Sequence, residues 1–123
     1  MATVELTAEN FDDVVGGNDM VFIDFWAEWC GPCRMFGPVY ESASTEHDDA
    51  VFAKVNTEEQ PALAARFGIR SIPTLMAVRE RVVLYSHPGA LPGEALTDLI
   101  TQVKAVDMED VHRKVAEAQA AQS

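Results

Sequence analysis

The sequence predicts an α/β domain, a β-sheet with helices packed on both of its faces. Two patterns carry this expectation. Strand-like and helix-like segments alternate along the chain. Within them, Met20–Trp26 is a nearly continuous apolar run, as a strand covered on both sides requires. The length of 123 residues suits a single hydrophobic core. An apolar fraction of 48% and a charged fraction of 24% place the chain among folded domains rather than disordered ones.

Taken in order, a short strand is expected around Val4–Leu6. A helix comes next, capped by Thr7, with Glu9 in its first turn, Phe11, Val14 and Val15 on one face, and Gly16-Gly17-Asn18 ending it. The apolar strand Met20–Trp26 is interrupted by one residue, Asp24. Beyond Trp29 the period becomes helical through Met35, Val39, Tyr40 and Ala43, with Pro38 expected to kink that helix. Val51–Asn56 reads as a strand, Glu59–Phe67 as a short helix closed by Gly68, and Thr74–Arg79 and Val82–Ser86 as two strands adjoining near Glu80-Arg81. Leu96, Leu99, Ile100, Val103 and Val106 mark a helix from about Pro92 to Val106.

The net charge of −11 repels phosphate backbones, so nucleic acid is not an expected partner. No apolar run approaches the roughly 20 residues of a membrane-spanning helix. No basic stretch leads into an apolar one at the N-terminus, so a cytoplasmic protein is expected, in a compartment where thiols are mostly reduced.

The two cysteines, Cys30 and Cys33, stand at C-x-x-C spacing where the apolar strand gives way to a helix. The first falls at the helix N-terminus, where unpaired N–H groups and the helix dipole favour a thiolate. Pro32 suits the first turn because its missing N–H costs nothing there. A zinc site usually needs two more soft ligands, and His47, His87 and His112 are scattered, so no metal is expected. A purely structural disulfide fits poorly in a chain without a secretion signal. Redox chemistry is the reading that remains. Asp24, a carboxylate on a doubly covered strand six residues before the dithiol, should have a raised pKa and suits a proton acceptor for Cys33. Lys54 on a neighbouring strand could hold that charge, or be a solvated edge lysine. Pro73 by itself could follow a cis or a trans bond.

Trp26-Ala27-Glu28-Trp29-Cys30-Gly31-Pro32-Cys33 resembles the active-site segment of the thioredoxin family, and Ile69-Arg70-Ser71-Ile72-Pro73-Thr74 its cis-proline loop. Asp24, Ala53-Lys54-Val55-Asn56 and Gly89-Ala90 also fit, and the likeness extends over about residues 3 to 106. The resemblance implies a thioredoxin fold, a central mixed sheet of about five strands with helices on both faces. It implies a protein-disulfide reductase in which Cys30 attacks the target disulfide and Cys33, more buried, resolves the mixed disulfide. Gly31 and Pro32 would tune the redox poise and expose Cys30. Lys54 and Trp29 would also tune the dithiol, the latter from its rim. Trp29, Ile72, a cis Pro73, Gly89 and Ala90 would form the substrate surface, with the Ile72 backbone pairing with the target chain.

No bound cofactor is implied, and the partners would be protein disulfides and an NADPH-dependent flavoprotein thioredoxin reductase, with the chain itself a monomer. A binding module using the same surface, or an oxidase of secreted proteins, are competing readings; the intact Cys-Gly-Pro-Cys and the missing leader argue against them. Glu80-Arg81, where relatives often carry Asn-Gly, and Pro88 before Gly89 depart from the family pattern. Arg34 and Arg70 flank the site, with Glu28 the one acid besides Asp24 close to it in sequence, so a less acidic rim is expected. The chain divides into a domain over 1–106 and a C-terminal helical extension over 107–123. In the extension Asp107 can cap a new helix bearing Met108, Val111, Val115 and Ala118 on one face. Either the chain bends near Asp107 or this end packs elsewhere than on the sheet, and it is expected to dock weakly on its own domain or a second copy, or to fray.

Overall fold

The computed structural model describes residues 2–122. The chain runs β1 (Thr3–Glu5), α1 (Phe11–Gly16), β2 (Met20–Trp26), α2 (Gly31–Glu46), β3 (Val51–Asn56), α3 (Pro61–Arg66), β4 (Thr74–Arg79), β5 (Val82–Pro88), α4 (Gly93–Ala105) and α5 (Met108–Gln122). The five strands form one mixed sheet in the order β1-β3-β2-β4-β5. β1, β3 and β2 are parallel, and β4 and β5 join by antiparallel pairing.

Side-chain alternation along the strands divides the core into two layers. On one face Val21, Ile23 and Phe25 pack with Phe11, Val15 and Leu63 from α1 and α3. On the other, Met20 and Phe22 pack with Phe36 and Tyr40 of α2 and Leu96, Ile100 and Val103 of α4. Asp24 shares the parity of Met20 and Phe22, so the chain sets a carboxyl group on the α2 side of its central strand, 1% exposed.

The bounds of β2, β3 and β4 are those expected from the sequence; β5 is two residues longer, and α3 begins at Pro61. Thr7 caps the turn that leads into α1, its carbonyl accepting the Phe11 N–H at 3.0 Å. It closes a turn with Asn10 in which the Thr7 N–H donates to Asn10 Oδ1 at 2.7 Å and the Asn10 N–H donates to Thr7 Oγ1 at 3.3 Å. The helix therefore starts only at Phe11, after Glu9. α2 runs unbroken through Pro38; Arg34, whose carbonyl loses its partner there, lies at the exposed surface.

Glu80 and Arg81 have φ of 50° and 68° between the paired Arg79 and Val82, a two-residue type I′ turn without glycine. Neighbours hold this conformation. The Glu80 N–H donates to the Asp19 carbonyl at 2.8 Å, and Arg81 Nη2 reaches the Gly16 carbonyl at 3.4 Å. Arg79 Nη1 donates to the carbonyls of Val103, Lys104 and Val106 at 3.1, 3.2 and 3.1 Å, tying the end of β4 to the last turn of α4.

The expected bend before the extension lies at Val106-Asp107, and Asp107 Oδ1 accepts the Asp110 N–H at 3.3 Å. Of the anticipated apolar face only Met108 is buried, and Val111 is half-buried. Val115 and residues 116–122 are exposed. His112 Nε2 lies 2.8 Å from Glu80 Oε1 at the β4–β5 hairpin. No helix of the described residues is long and apolar enough to cross a membrane.

Candidate active site

The site lies where β2 ends and β4 begins, ends that meet because the two strands run antiparallel. Beyond Trp26 the chain makes a short turn closed by the Cys30 N–H on the Ala27 carbonyl at 3.2 Å. Cys30 is the N-cap of α2, in extended conformation (φ −86°, ψ 112°), with Pro32 in the first helical turn. Its sulfur accepts the Cys33 N–H at 3.2 Å, the place that a capping oxygen takes in an ordinary helix. The same position favours negative charge on that sulfur once the bond is reduced. Cys30 and Cys33 are joined as a disulfide with Cα atoms 5.2 Å apart.

Across from them the Ile72–Pro73 peptide bond is cis, and the Ile72 carbonyl oxygen lies 3.7 Å from Cys30 Sγ. Gly89, with φ of 112°, donates its N–H to the Pro73 carbonyl at 2.8 Å, a backbone conformation that side-chain-bearing residues rarely adopt. Trp29, Gly31, Pro32, Gly89 and Ala90 are exposed around the disulfide, and Ile72 is half-buried. Thus Cys30, Cys33, Trp29, Ile72, Pro73 and Gly89 come together at one end of the sheet, with Ala90 beside Gly89.

The anticipated difference in burial between the two cysteines does not hold: both are 4% exposed. The cis-proline loop lies against Cys30, so Gly31 and Pro32 leave its sulfur covered in the oxidised state. The asymmetry lies in partners instead. Cys30 faces the Ile72 carbonyl and receives a helix N–H, whereas Cys33 sits inside the first turn of α2.

Asp24 is the buried acid of β2, six residues before Cys30 in sequence and paired with Leu75 of β4. Burial raises its pKa from 3.8 to about 7, against the opposing attraction of Lys54. Neither carboxyl oxygen has a hydrogen-bond partner among the described residues. Lys54 faces Asp24 in the strand register, yet its ammonium lies 4.6 Å over the Trp26 ring rather than in contact with the carboxylate. Lys54 therefore acts on Asp24 through space, and the cation–π contact holds it there. The negative charge of Asp24, after burial itself, helps to raise the pKa of the Tyr40 phenol, whose hydroxyl donates to the Ala53 carbonyl at 2.8 Å.

The rim is more acidic than sequence proximity suggested. Asn56 ends β3, and its Oδ1 accepts the N–H groups of Glu58 and Glu59, turning that loop toward the dithiol. Trp29 Nε1 donates to Glu58 Oε1 at 2.6 Å. Glu28, Arg34, Glu58 and Glu59 then share a cleft beside Trp29. One signal could have revealed this. β2 and β3 are parallel neighbours, so the loop leaving β3 must lie beside the loop leaving β2.

The thioredoxin family model matches residues 2–102. The chain belongs to the thioredoxin family. It is 61% identical over 119 residues to "Putative thioredoxin 2" of Streptomyces coelicolor, covering 97% of this chain and 89% of that protein. It is 50% identical over 103 residues to the thioredoxin of Alicyclobacillus acidocaldarius, covering 83% of this chain and 98% of the relative. Among solved structures, a mutant thioredoxin of Halobacterium salinarum superposes with a TM-score of 0.78 at 36% identity, over 85% of this chain and 93% of that one. Family and cysteine pair together make the protein a thiol–disulfide oxidoreductase acting on protein disulfides. Membership implies, in general terms, disulfide substrates and a reductase that restores the dithiol.

Proposed function

We propose that this thioredoxin-family protein reduces target disulfides through Cys30 and is recharged by an NADPH-dependent flavoprotein thioredoxin reductase. The observation that carries the reading is the position of the Cys30 sulfur as N-cap of α2. With the disulfide reduced, the helix terminus and the Cys33 N–H favour the Cys30 thiolate. That thiolate attacks one sulfur of the target disulfide, forming a mixed disulfide and releasing the other target sulfur as a thiolate. Cys33 loses its proton and attacks Cys30 Sγ, closing the intramolecular disulfide and freeing the second target thiolate. Two electrons pass to the target, and its two sulfurs take up two protons.

Asp24, with a pKa of about 7, accepts the Cys33 proton at neutral pH. Lys54 and Trp29 tune the dithiol from either side, and Gly31-Pro32 set its redox poise. Trp29, Ile72, Pro73, Gly89 and Ala90 form the substrate surface, on which the Ile72 carbonyl pairs with the target backbone. The working unit is the domain over residues 1–106, monomeric and cytoplasmic, with residues 107–123 as an appendage. Insulin-disulfide reduction by the pure protein tests the reading, first with dithiothreitol and then with NADPH and a bacterial thioredoxin reductase. Turnover in both is expected. A protein inert with dithiothreitol would overturn the reductase assignment; turnover with dithiothreitol alone would overturn only the recharging partner.

A further inference from the structure

A cavity of about 740 Å³ lies away from the dithiol, between α2 and α4. It opens between the second half of α2 and the first turns of α4, where the facing residues Ser42, Gly93 and Thr97 are too short to close it. Pro38 and the half-buried Val39 give it an accessible apolar surface, backed by the buried Ala43 and Leu96. Glu46, Glu94 and Asp98 stand exposed around it, and none of the three carboxylates has an ion pair or hydrogen bond among the described residues. None of the nine lysines and arginines of the chain lines the groove.

We infer that this groove docks a partner protein through an amphipathic helix whose apolar face is bordered by lysines or arginines. An apolar trough between two helices offers a third helix a face to bury. An uncompensated acidic rim makes that helix a cationic one, because an acidic segment would meet three like charges. The groove residues are separate from the dithiol surface, so a docked partner leaves Cys30 free. This binding function thus stands apart from the electron transfer.

The test uses the full chain, isotope-labelled, and a synthetic amphipathic helical peptide of leucine and lysine, with a version carrying glutamate at every lysine position. The lysine peptide is expected to shift amide resonances over residues 38–46 and 93–98, and the glutamate peptide to shift none. Combining Glu46→Gln, Glu94→Gln and Asp98→Asn should weaken binding about tenfold or more, and Ser42→Trp, which fills the trough, should do the same. A control with equal charge removed from the opposite face, Glu9→Gln, Asp12→Asn and Asp13→Asn, should change affinity by less than about twofold. Insulin reduction by each variant reports that the fold is intact. Equal weakening by the two triple variants would reduce the effect to the net charge of the chain and overturn the inference. Resonance shifts centred on Trp29 and Gly89, or a peptide effect traced to self-association of the protein, would overturn it as well.

Discussion

Asp24→Asn should make the oxidised protein more stable, and by an amount that depends on pH. Ionising a carboxyl whose pKa stands at about 7 instead of 3.8 costs about 4 kcal/mol at 1.36 kcal/mol per pH unit. The folded protein holds this proton more tightly than the unfolded chain does. The cost is therefore absent below about pH 4, grows between about pH 4 and 7, and is complete above that range. The amide is close in shape to the protonated acid and carries no charge, so the variant lacks this dependence. Urea or guanidinium unfolding of both proteins with the disulfide intact, from pH 4 to pH 9, measures the difference directly. The two curves should nearly coincide at pH 4 and separate by about 4 kcal/mol at pH 8, the variant being the more stable. The same variant should reduce insulin more slowly and lose any rate inflection near pH 7 that Asp24 supplies. A stability gap that does not change with pH, or a variant less stable at pH 8, would refute the buried-acid argument.

Cys33→Ser should accumulate mixed disulfides with target proteins through Cys30, whereas Cys30→Ser should trap few and be inactive; mass spectrometry of the adducts that finds them on Cys33 would reverse the roles. Tyr40→Phe removes a fully buried hydroxyl from the Ala53 carbonyl and should cost about 1–2 kcal/mol in chemical unfolding, with little change in packing. Arg81→Gly relieves a positive φ with the loss of one long contact to Gly16, and should stabilise the fold by roughly 0.5–1 kcal/mol; destabilisation would mean that the Arg81 contacts outweigh the strain. Truncation after Val106 removes the buried Met108 and the exposed His112–Glu80 pair. It should lower stability by no more than about 2–3 kcal/mol and leave insulin reduction within about a few-fold of the full chain.

The central strands were legible because they are buried. β2 shows as an apolar run broken only at Asp24 and β4 as one between Thr74 and Arg79, and both start and stop where the sequence says. Asp24 stood out for the same reason, as the one charge inside such a run. The dithiol was legible from spacing and from the strand-to-helix transition. Features set by distant contacts were hidden. The positive φ values at Glu80-Arg81 are held by Asp19 and Gly16, some sixty residues earlier in the chain. Glu58 reaches the Trp29 indole across 29 positions, so no local reading of charge around Cys30 could include it. Equal burial of the cysteines results from how closely the Ile72–Pro73 loop approaches, a distance no spacing encodes.

β4 begins beside the disulfide at Thr74 and ends at the hairpin that receives His112, so the strand is also a ruler. Six residues of extended chain separate the redox surface from the attachment of α5 by roughly 20 Å. The extension leaves from the opposite pole of the molecule, clamped there by Arg79 through the last carbonyls of α4. A label, an immobilising linker or a fused domain carried on the first turns of α5 would therefore sit about a strand's length from the reactive surface. That makes the tail a natural handle by which the protein can be held while its dithiol faces a client.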